Sequence, residues 1–88
     1  MKKITTESGF TIEVDEANFD DMELLEKLVE LDENILILPK VLNMTLGENG
    51  KKALYDHYRD DKGRSSATKV MDEFLEIMKL VGDGGKNS

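Results

Sequence analysis

The side chains best suited to chemistry in this 88-residue chain are few, and their spacing does not assemble a reactive group. His57 is the only histidine, and with no cysteine in the chain neither a thiolate metal site nor a Cys–His pair can form. A lone histidine beside Leu54 and Tyr58 on a helix edge reads as a hydrogen-bonded structural side chain rather than a general base. Asp56, Asp60 and Asp61 precede Gly63, but the alternating D-x-D-x-D-G spacing and closing glutamate of a calcium loop are missing. Gly47, Gly50 and the Gly84-Gly85 pair do not make a phosphate-binding loop, since none follows a strand and opens a helix with the lysine such a loop needs. The expectation is no catalytic residue, no metal and no cofactor.

Charge narrows the partners. Nineteen acidic against twelve basic residues give a formal net charge of -7, and ten of those acids, with a single lysine, fall between residues 13 and 34. Such a chain repels nucleic acid phosphates and anionic membranes, so neither is expected as a partner. No apolar run reaches membrane-spanning length. The start Met-Lys-Lys-Ile-Thr-Thr lacks the apolar region of a secretion signal, and the lack of cysteine suits a reducing cytoplasm.

The strongest structural signal is the stretch Ser65 to Val81. Ala67, Val70, Met71, Phe74, Ile77, Met78 and Val81 recur at three- and four-residue steps, while Thr68, Lys69, Asp72, Glu73, Glu76 and Lys79 fill the other side. Ser65 or Ser66 can cap its start, and Gly82 can take the left-handed conformation that ends a helix. Such a helix must be covered by the rest of the chain. Lys2 to Thr6 and Phe10 to Val14 read as a hairpin around Glu7-Ser8-Gly9. A lone two-stranded sheet is marginal, so packing on helices, or self-association through its edge, must support it.

An acidic connection follows, where Asn18 or Asp20 can cap a helix whose stripe is Leu24, Leu25, Leu28, Leu31 and Ile35. Ile35-Leu36-Ile37-Leu38 then stands before Pro39, which fits a helix's first turn, so a break near Asn34 and a new helix through Leu46 are expected. A buried strand over residues 35–38 is the alternative. A further helix begins near Lys51 after a Gly47–Gly50 loop, and Asp60-Asp61-Lys62-Gly63 makes a turn. The expected fold is α+β and mostly helical. It is one domain over residues 1–82, a hairpin at 2–14 packed on about four helices near 20–34, 36–46, 50–60 and 65–81, with a flexible tail at 83–88. The four-residue apolar run points in every direction around a helix, so part of it should be exposed. Ile35, Leu36, Ile37 and Leu38, with Val41 and the off-seam Leu80, are the candidate partner-binding residues.

The order of these pieces resembles the small tail assembly chaperones of long-tailed bacteriophages, especially those of Gram-positive hosts. The shared plan is a short hairpin, an acidic helix, the Leu38 to Val41 segment Leu-Pro-Lys-Val, Leu46-Gly47, Arg59-Asp60 with Gly63-Arg64, the final amphipathic helix, and a tail from Gly84 to Ser88 containing glycine and lysine. The resemblance implies a non-enzymatic protein of the host cytoplasm, absent from the mature virion. It would coat the tape measure protein until tail tube subunits displace it. The resemblance also implies a longer form, made by a programmed frameshift in the codons for Gly84 to Asn87, whose extension recruits the tail tube protein. The alternative reading is an acidic regulatory module or nucleic-acid mimic that occupies a basic surface through residues 13 to 34.

Overall fold

Two strands, β1 (Lys2–Thr5) and β2 (Thr11–Val14), pair antiparallel, with Ile4 opposite Ile12 and Thr5 opposite Thr11. In the computed structural model, which describes residues 1–86, their connection closes with the Gly9 amide on the Thr6 carbonyl and the Thr6 amide on the Phe10 carbonyl. Gly9 has φ 88, a conformation that a side chain resists. Strand alternation then sorts the faces: Ile4, Phe10 and Val14 are buried with Ile12 beside them, while Thr5 and Thr11 share an exposed hydroxyl pair. β1 packs on the last helix and β2 on the middle one, so the two-stranded sheet is held by helices.

The acidic connection contains a 3-10 turn, Glu16–Phe19, capped by Asp15, whose carboxylate accepts from the Ala17 amide. Helix α1 (Met22–Glu33) begins one residue later than a cap at Asp20 would place it. Asp21 is the cap and accepts from the Glu23 amide. Asn34 ends α1 and its side chain accepts from the Leu36 amide, which opens a second 3-10 turn, Ile35–Ile37. The apolar run is therefore a helical turn and not a strand.

Helix α2 (Leu38–His57) starts with Pro39 in its first turn and is interrupted at Gly47, the expected terminator. Gly47 is non-helical (φ 75, ψ 169), yet the helix resumes at once, so the two expected helices join across a kink and the Gly47–Gly50 loop does not form. Three helices stand where about four were expected, and the two segments of α2 on either side of Gly47 account for the difference. Gly50 sits where α2 meets the hairpin: a Cβ there would lie 2.9 Å from Leu46 Cβ and 3.0 Å from Ile12 Cδ1. That close approach explains a glycine at a helical position, where propensity alone would favour alanine.

The chain turns back through Asp60 to Gly63. Gly63 has φ 81, and the Asp60 carboxylate accepts from the Lys62 and Arg64 amides. The Arg64 amide foremost, then the Lys62 amide and the Arg64 guanidinium, hold the Asp60 carboxyl below its usual range. Helix α3 (Ala67–Lys86) is capped by Ser66, whereas Ser65 bonds the Tyr55 carbonyl. Gly82 is helical, so α3 passes the expected stop and enters the tail. A glycine permits a left-handed terminus without imposing one. Asn87 and Ser88, expected to be flexible, lie outside the described residues. The core gathers Leu24 from α1, Val41, Leu42 and Leu54 from α2, and Val70, Phe74 and Ile77 from α3. The fold is α+β and mostly helical, a hairpin on three helices.

A candidate interaction surface

The six candidate binding residues separate by burial. Leu36 is 83% and Ile35 53% exposed, while Ile37 and Leu80 are half-buried. Leu38 and Val41 are core residues, at 5% and 0%, and Val41 offers a partner no surface. The reason lies in α2: positions three apart share its inward face, so the residue at the helix start and Val41 turn to the core together. Ile35 and Leu36 form the rim of an apolar groove of about 300 Å³, whose walls are Leu38, Pro39, Tyr55, Ala67 and Val70. Ser65 also lines it, and its hydroxyl donates to the Tyr55 carbonyl. A groove of this kind receives an aliphatic or aromatic side chain and offers little to orient a polar substrate.

A second apolar surface lies on α1. Met22, Leu25 and Val29 are 67%, 52% and 66% exposed, and the helical repeat places them within an arc of about 60°. Leu25 and Ile35 were expected in the core stripe with Leu24, Leu28 and Leu31, but only Leu24 and Leu31 are fully buried. The signal was present in the spacing: Met22, Leu25 and Val29 step by three and four, out of phase with Leu24, Leu28 and Leu31. Two apolar arcs on one helix cannot both face the same neighbour.

The polar group nearest to a catalytic constellation surrounds Glu73, which is buried at 3% although periodicity puts it on the polar side of α3. Its carboxylate accepts from the hydroxyls of Thr6, Ser8 (2.7 Å) and Tyr58 (2.7 Å). Burial raises the carboxyl, but the Thr6, Tyr58 and Ser8 hydroxyls, with a smaller contribution from His57, hold it below its ordinary value of 4.5. The same burial, and the bond to Glu73, push the Tyr58 phenol up. His57 Nε2 lies 2.9 Å from Ser8 Oγ, and its ring packs edge-on against Tyr58 and tilted on Phe10.

Proton accounting assigns this cluster a role. Ser8 has one hydroxyl hydrogen and gives it to Glu73 rather than to the facing His57 nitrogen. A nucleophilic serine needs the opposite arrangement, with the histidine accepting its proton and the carboxylate behind the histidine. Here the serine stands between the other two. The cluster ties the hairpin turn to α2 and α3, helped by the Glu7 amide on Glu76 (2.8 Å). Glu73 could have been found in the sequence, since Val70 and Ile77 lie three before and four after it, on the seam's margin. Among the described residues no group of three or more His, Cys, Asp or Glu side chains could hold a metal ion, and no helix is long and apolar enough to cross a membrane. Comparison with family models, curated proteins and solved structures found no match.

Proposed function

We propose that this protein is a non-catalytic tail assembly chaperone of a long-tailed bacteriophage, which binds the tape measure protein in the host cytoplasm and keeps it soluble until tail tube subunits replace it. The observation that carries the reading is the groove rimmed by Ile35 and Leu36, an apolar surface left open on a small domain. A long helical client exposes apolar stripes before the tube encloses it, and a shallow apolar groove seats one side chain of such a stripe. The order of motifs along the chain supplies the choice of client. In this reading a longer, frameshifted form would also recruit tube subunits, and neither form would enter the mature virion.

Co-expression of the chain with a tape measure protein, followed by affinity capture from the soluble fraction, tests the proposal. Burying one exposed leucine contributes about 1.5–3 kcal/mol, so Leu36→Asp should weaken capture by roughly ten- to a hundredfold. Because Leu36 is 83% exposed, circular dichroism should be unchanged. A tape measure protein that stays insoluble with the chain present, or capture indifferent to Leu36→Asp, removes this function.

A further inference from the structure

We infer that the outer face of α1 is a docking seat for a basic amphipathic helix, one with an apolar stripe bordered by lysine or arginine. This goes beyond the tape-measure reading and stands without it, because it rests on a different surface and names its occupant by chemistry. The face has two components. Met22, Leu25 and Val29 form a continuous exposed apolar arc along α1. By the same helical repeat Glu26 and Glu33 border that arc on one side and Asp32 on the other, and all three are exposed. The sole cation of α1, Lys27, lies toward the opposite face and is paired with Glu30 at 3.4 Å.

Charge selects among the occupants of such a face. A second copy docking α1 on α1 would bring the two carboxylate borders together, and like charges in register oppose that contact. Anionic lipid and nucleic acid are repelled for the same reason. A helix with leucines at the matching spacing and lysines beside them satisfies both components at once. Its apolar side chains cover Met22, Leu25 and Val29, and its cations meet Glu26, Asp32 and Glu33. The carboxylates would speed encounter and fix orientation, while the apolar arc would hold the complex.

The test uses the full chain and two labelled synthetic helices of equal length, one of leucine and lysine, the other of leucine and glutamate, followed by fluorescence anisotropy. The lysine helix should bind and the glutamate helix should bind at least about tenfold more weakly. Leu25→Ser with Val29→Ser should weaken the lysine helix by about tenfold or more, whereas Leu75→Ser, an exposed leucine of α3, should not. Glu26→Lys with Glu33→Lys provides an independent variant that should reverse the preference between the peptides. Equal binding of both peptides overturns the inference. So does lysine-helix binding that ignores Leu25→Ser with Val29→Ser, which would mean attraction by net charge alone. A dimer in sedimentation that dissociates with the same double substitution would overturn it too, since a second copy would then be the occupant.

Discussion

Glu73 is the residue whose role is least like its class. A carboxylate at 3% exposure is tolerated because three hydroxyls supply the hydrogen bonds that water would have made. Glu73→Ala leaves Thr6 and Tyr58 without their acceptor, and a loss of about 2–3 kcal/mol is expected in chemical denaturation. The folded carboxyl titrates below its unfolded value, so its contribution is fully present above the unfolded value and disappears as pH falls through the folded one. Stability should therefore decline on the acid side, and Glu73→Gln should flatten that part of the profile relative to the parent chain. Parallel profiles for the two proteins would mean that Glu73 is not the group responsible.

At the scale of elements, the two glycines of α2 make opposite demands that helix propensity does not distinguish. Gly47 carries φ 75 and ψ 169, a region open to glycine and costly for any other residue, and it alone lets α2 change direction. Gly47→Ala should cost about 1–3 kcal/mol through backbone strain. Gly50 has an ordinary helical backbone, but an added Cβ meets Leu46 Cβ at 2.9 Å, an atom that cannot swing aside. Propensity would gain about 1 kcal/mol from Gly50→Ala, and overpacking costs about 1–3, so a net loss of up to about 2 kcal/mol is expected. A Gly50→Ala protein more stable than the parent would show that Leu46 and Ile12 yield to the added Cβ.

Over the whole molecule the charge is lopsided, and the ion pairs do little to relieve it. The three salt bridges among the described residues, Lys27–Glu30, Arg59–Asp56 and Arg64–Asp60, are all local and exposed, of a kind worth about 0–1 kcal/mol each. Ten acids and one lysine between residues 13 and 34 leave a local excess of like charge that such pairs do not cancel. Raising sodium chloride from about 20 to about 200 mM should therefore increase the melting temperature by a few degrees, as screening weakens repulsion more than attraction. A fall in melting temperature over that range would mean that the local pairs dominate. Leu36→Asp and Leu25→Ser with Val29→Ser both act on exposed positions, so at this scale neither should alter stability much.

The seam of α3, the turns at Gly9 and Gly63 and the break at Asn34 were legible because each depends on a few neighbouring residues. Periodicity, backbone sterics and a capping side chain act within a turn or two of chain, and a linear reading contains them. Val70, Phe74, Ile77 and Val81 are all buried as their spacing required. What periodicity cannot express is which element covers which face. Leu25 and Leu24 belong to different arcs of one helix, and only the packing of α1 against α2 decided that Leu24 goes in and Leu25 stays out. Leu38 and Val41 joined the core while Leu36 did not, although all three sit in one apolar stretch. Glu73 is held by Thr6, sixty-seven residues away, a contact with no local signature. Burial is a property of surfaces brought together from distant parts of the chain. The sequence determined the elements, though not every helix end, and tertiary packing determined which apolar side chains remain free to meet a partner.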